Sequence, residues 1–123
     1  MQNKENSAPE RSEYHVLFIS SDRLGDGPEE LGTRLCGAFL DTLAGLGTRP
    51  DKIIFMNSGV KLVAAGSRVL EELQRLATAG VDILACGTCL GYFELTDRVA
   101  VGRVSNMHEI VGLLMTARRL VTL

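Results

Sequence analysis

The sequence predicts a doubly wound α/β sandwich around a five-stranded parallel sheet, on three observations. Five short runs are apolar almost throughout, which is the pattern of parallel strands covered on both faces. Between them, apolar residues recur at helical spacing. Gly, Pro, Ser and Asn punctuate the junctions. Strand and helix alternating in this way take right-handed crossovers, and such folds bind ligands outside the carboxyl ends of their strands.

Residues 1–12, MQNKENSAPERS, are polar and lack periodicity, so they predict a disordered tail or linker ahead of one domain over 13–123. The predicted strands are YHVLFIS (14–20), KIIFMN (52–57), VDILAC (81–86), VAVGRV (99–104) and RRLVTL (118–123). A first helix follows from Leu31, Leu35, Phe39, Leu43 and Leu46, opened by Pro28, Glu29 and Glu30. A second follows from Val69, Leu70, Leu73, Leu76 and Ala77 and stops at Gly80. A short third one begins near Cys89, and a fourth carries Met107, Ile110, Val111 and Leu114 behind the capping-box pair Asn106 and Glu109. The strand-to-helix loops SSDRLGDG (20–27), NSGVKL (57–62), CGTC (86–89) and SNMH (105–108) then share one functional rim.

Composition narrows the function. With 13 basic and 15 acidic residues interspersed and a net charge of -2, the chain has no electrostatic footprint for nucleic acid. No apolar run approaches a membrane span and the amino-terminal stretch lacks a signal-peptide core, so a cytoplasmic protein without membrane partners is expected. Three cysteines do not make a disulfide framework.

The chemistry therefore concentrates at CGTC. If Cys86 ends the third strand, Cys89 falls in the first turn of a helix, where free N–H groups favour a thiolate, and Gly87 lets the backbone turn. The pair can be a redox dithiol, half a metal site, a sulfur-carrying nucleophile, or two packed hydrophobes. Zinc would need further ligands from Cys36, His15 and His108, of which only His108 is placed to approach, so no metal is expected. SSDRLGDG lacks both the Lys of a P-loop and a third glycine, so no nucleotide or other cofactor is expected either. Asn57 and Lys61 share the rim and can orient or attract an anionic sulfur species. Thr88, Gly87 and Asn106 are further candidate contacts.

The segments IIFMNSGVKL, GVDILACGTCL and VAVGRVSNMHEIV resemble the DsrE-like domain of YedF-type selenium-metabolism proteins, in the DsrE/DsrF sulfurtransferase-like superfamily, over residues 14–123. The resemblance implies a three-layer α/β/α sandwich and a homo-oligomer, often a trimer or hexamer. It also implies a sulfur or selenium carrier that holds a persulfide in the turn after the third strand and passes it to a protein partner, possibly TusA-like. By that pattern Cys86 is the carrier, whereas the thiolate argument favours Cys89. Gly91 and His108 stand where the family has Asp and Tyr, and no TusA-like domain falls within the resemblance. The rival readings are a dithiol oxidoreductase and a non-catalytic oligomeric interaction module. For oligomerisation the sequence adds its own argument: Leu90, Tyr92, Phe93 and Leu95 cannot all face one sheet.

Overall fold

A computed structural model describes residues 10–123. Strands β1 (His15–Ile19), β2 (Lys52–Phe55), β3 (Asp82–Cys86), β4 (Arg103–Ser105) and β5 (Arg119–Thr122) form one all-parallel sheet in the order β4-β3-β2-β1-β5. The connections carry α1 (Glu29–Gly45), α2 (Leu70–Thr78), α3 (Gly87–Tyr92) and α4 (Met107–Thr116), with 3₁₀ segments at Asn57–Val63 and Thr96–Arg98. The first three crossovers step the same way across the sheet and the fourth returns to the free edge of β1. Right-handedness then puts α4 on the face opposite α1 and α2. Strand register agrees. Leu17 and Val121 are cross-strand partners and line a cavity with Phe39 and Leu43 of α1, whereas Asp82 and Arg103, of the other parity, bond one another and Arg103 bonds Glu109 of α4. The result is the expected three-layer α/β/α sandwich.

Ile53, Phe55 and Ile83 point to one layer, Ile54 and Leu84 to the other. All are buried in one cluster with Leu40, Leu73, Leu76 and Ile110. Each fully buried side chain of this size contributes roughly 1.5–3 kcal/mol of transfer free energy. Helix ends follow their local chemistry. After α2, Gly80 at φ 103° donates to Ala77 and Val81 donates to Leu76, the two bonds of a Schellman stop. At α4 the Asn106 side chain accepts from the Glu109 N–H at 2.9 Å, but the Glu109 carboxylate turns to Arg103 and Ser105 instead of closing the capping box.

Three expectations are corrected. The fourth strand starts at Arg103, not at 99: the Ala100 and Val101 N–H groups bond to Val63, Val99 bridges Ala64, and Gly102 at φ 82° turns the chain against Ile83. A Cβ at Gly102 would lie 2.7 Å from the Ile83 carbonyl oxygen, so the turn can pass there only as glycine. NSGVKL, expected as a loop, is 3₁₀ helix. The buried stripe of α1 is Gly32, Cys36 and Leu40, while Leu31 and Leu35 stay exposed, because Gly32 lets the helix approach Arg23 and Leu24 closely. The expected tail or linker falls mostly on residues 1–9, which lie outside the described residues; the Ser12 N–H and the Arg11 guanidinium donate to the Thr116 and Arg118 carbonyls.

Candidate functional site

The carboxyl ends of β2 and β3 bring two segments together. β3 ends at Cys86, which is buried and paired in register with Ser105 of β4. α3 begins directly after it. Gly87 is there for space rather than for an unusual turn: a Cβ would meet the Ser105 carbonyl oxygen at 3.0 Å and Val104 at 3.3 Å. Cys89, third in α3, is half-buried.

From the other side comes the 3₁₀ helix after β2. Met56 leaves the strand extended and donates to the Ile19 carbonyl at 3.0 Å, and Asn57 then takes a left-handed φ of 52°. Asn tolerates this conformation better than most residues, here with its Oδ1 accepting the Ser58 N–H at 2.8 Å. The turn aims the Asn57 N–H at Cys89 Sγ, 3.1 Å away. Strained backbone of this kind is often found at functional sites. Asn57, Thr88, Cys89, Tyr92 and Phe93 line a cavity of about 410 Å³ over the thiol. Lys61 holds its ammonium 4.6 Å from the Phe93 ring centre.

The DsrE/DsrF-like family model matches residues 38–123, well over half of the chain and including both halves of this site. The chain belongs to the DsrE/DsrF-like family. That family is associated with sulfur relay. Among solved structures, the ychN protein from E. coli is similar at 16% identity and a TM-score of 0.60, with 89% of this chain and 99% of that one covered. MTH1491 from Methanobacterium thermoautotrophicum, of unknown function, shares 19% identity at 0.58, over 87% and 99% of the two chains. BT1422 from Bacteroides thetaiotaomicron, also of unknown function, shares 18% at 0.59, over 88% and 94%. These likenesses concern the fold. No curated protein is similar in sequence.

In this DsrE/DsrF-like chain the thiol chemistry departs from the expectation of a depressed Cys89 pKa. Burial pushes the Cys89 thiol up, and its hydrogen bond to the Cys86 thiol pushes the same way. The Asn57 N–H opposes both, without reversing them. Cys36 is also raised, chiefly by burial, and it packs in the core of α1.

Of the predicted site residues, Asn57, Thr88 and Cys89 meet at the cavity and Lys61 borders it through Phe93. Cys86 lies beneath, and Gly87 spaces the strand end from β4. Asn106 commits its side-chain oxygen to capping α4. Sequence reasoning missed Tyr92 and Phe93 as cavity walls, packed edge to face at 5.1 Å, although the apolar excess of CLGYFEL was their signal. It also missed the charged chain Lys52, Asp82, Arg103 and Glu109 beside α4. Paired charges scattered over 58 residues leave no local pattern. Among the described residues, no three His, Cys, Asp or Glu side chains gather to hold a metal ion, and no helix is long and apolar enough to cross a membrane.

Proposed function

We propose that this protein is a persulfide carrier: Cys89 accepts a sulfane sulfur, or its selenium counterpart, and passes it to a thiol of a protein partner. The observation that carries the reading is the Asn57 N–H held 3.1 Å from Cys89 Sγ by a left-handed backbone turn, at a cavity with room for a further sulfur atom. The N–H stabilises the thiolate when it forms and leaves. The raised pKa keeps the thiolate scarce at neutral pH but makes each one a stronger nucleophile.

Loading is attack of the Cys89 thiolate on the outer sulfur of a donor persulfide. A new S–S bond forms, the donor S–S bond breaks, and the donor departs as thiolate. Delivery is the same step with an acceptor thiolate attacking and Cys89 leaving. Cys86, the neighbouring thiol, can instead attack the inner sulfur, giving the Cys86–Cys89 disulfide and hydrosulfide. Half-burial at the cavity favours Cys89 over the buried Cys86 as the loaded residue.

Intact mass and peptide mapping after treatment with a sulfane-sulfur donor test the proposal. One added sulfur on Cys89, absent in Cys89→Ser, is expected; sulfur on Cys36 alone, or none anywhere, sinks it. The presence of a neighbouring thiol at the strand end also favours a dithiol oxidoreductase, which would return a reversible disulfide and no retained sulfur.

The carrier is proposed to act as a homo-oligomer. Met107, Val111 and Met115 form an exposed apolar stripe along the outer face of α4, and Tyr92 projects from α3. Contiguous apolar surface of this kind marks interfaces.

A further inference from the structure

A second cavity, of about 580 Å³ and within the range of small-molecule sites, is also lined by Phe93. Its lining shares Phe93 with the thiol cavity, so the two adjoin across one side chain. Leu62, Ala64 and Leu95 supply apolar wall, and Lys61 and Arg68 supply two cations. Asp22 also lines it, with its carboxylate 3.7 Å from Arg23. Among the described residues, neither Lys61 nor Arg68 forms an ion pair. Lys61 rests on the quadrupole of the Phe93 ring, a partial substitute for an anion. A molecule with carboxylates at one end and sulfur at the other could satisfy both cavities at once.

We propose that this cavity binds the carboxylate-bearing body of a small thiol persulfide, held by Lys61 and Arg68, and so presents its outer sulfur to Cys89. This rests on the carrier reading and names its donor class. The balance is that of loading: the Cys89 thiolate takes the outer sulfur, the small thiol leaves as thiolate, and no external oxidant or reductant is consumed. A concave site of tripeptide size favours a small molecule over a protein surface as the source.

The probe for binding is S-methylglutathione, which carries carboxylates and cannot transfer sulfur, titrated by calorimetry against wild type and the double variant Lys61→Gln/Arg68→Gln. Saturable binding by wild type, weakened about tenfold or more in the variant and in the probe's diester, is expected, a loss of about 1.4 kcal/mol or more. No saturable binding, or equal binding by both proteins, overturns the proposal. So does tight capture of a glutamate hexapeptide that displaces the probe and outcompetes it, which would assign the cavity to an acidic polypeptide.

Transfer is read separately, by the rate at which Cys89 gains sulfur from glutathione persulfide and from its diester. Equal rates in wild type overturn the donor class and leave the carrier reading intact. If neither donor loads Cys89 while the binding difference persists, the carrier reading fails and the anion site stands.

Discussion

Replacing Gly59 with Ala should loosen the thiol site from beneath. Gly59 occupies the 3₁₀ helix, where an added Cβ would lie 2.5 Å from the Ile19 carbonyl oxygen and 3.3 Å from the Ser21 nitrogen. That carbonyl cannot swing aside freely, since it accepts the Met56 N–H at 3.0 Å. The 3₁₀ helix must therefore retreat by about 0.9 Å to reach an ordinary contact of 3.4 Å. Overpacking of this kind costs about 1–3 kcal/mol. In a domain of this size each kcal/mol lowers Tm by about 4 °C. A retreat that carries the Asn57 N–H away from Cys89 Sγ lengthens their 3.1 Å bond toward about 4.0 Å, the outer limit for sulfur, and so weakens it. Calorimetric melting and the pH profile of Cys89 alkylation should thus change together, with Tm down and the alkylation midpoint up, because the group that lowers the thiol pKa is withdrawn. An unchanged Tm would refute the steric reasoning; a lowered Tm with an unmoved midpoint would refute the link from Gly59 to the thiol.

The thiol contact gives a prediction of opposite sign: Cys86→Ala removes a hydrogen bond that raises the Cys89 pKa, so the midpoint of Cys89 alkylation should fall, and a rise would refute it. In wild type, iodoacetamide should label Cys89 before Cys86 and leave Cys36 to the unfolded chain, as peptide mapping over time will show. Glu109 is held down at about 2, first by Arg103 and then by Ser105, and Asp82 is lowered chiefly by Arg103. A carboxylate whose folded pKa is depressed stabilises fully above its ordinary value of about 4.3 and loses that contribution as pH falls toward 2. Arg103→Met should therefore flatten the fall in stability between those limits by about 1 kcal/mol, discounted because both carboxylates are a third exposed; denaturant melts at pH 5 and pH 2.5 measure it. Light scattering should find a particle several times 13.3 kDa that Val111→Glu with Met115→Glu reduces to that mass, whereas a wild-type monomer at micromolar concentration counts against the α4 interface.

Much of this architecture was legible because the central strands are buried on both faces. IIF of β2 and ILAC of β3 have no solvated side, so hydrophobic continuity alone marks them. The edges were less legible. VAVGRV reads as a strand, yet only its end pairs with β3, since Gly102 diverts the preceding residues to the 3₁₀ segment, and one glycine in an apolar run does not disclose its φ. The rotation of the α1 stripe depends on Gly32 being small, a property of packing and not of periodicity. At the site, CGTC could be placed at a strand end from spacing, but the N–H that meets Cys89 comes from a residue 32 positions away. The sign of the thiol's pKa shift lay beyond the sequence for the same reason: burial and the neighbouring thiol exist only once the chain has folded.

β4 is three residues long, yet Ser105 within it covers the end of β3 where Cys86 lies. So short an edge has few backbone bonds to hold it, and the Arg103 clamp to Asp82 and Glu109 fastens it from the side. Ionic fastening responds to acid and to salt in a way that a hydrophobic core does not. Loss of the clamp at low pH or high salt should therefore weaken β4 before it weakens the central strands, a difference that hydrogen exchange at Ser105 and Cys86 would read. The two cysteines are three residues apart in the chain but differ in cover: one is half-exposed at a cavity in the resting fold, the other lies buried behind an ion-paired edge.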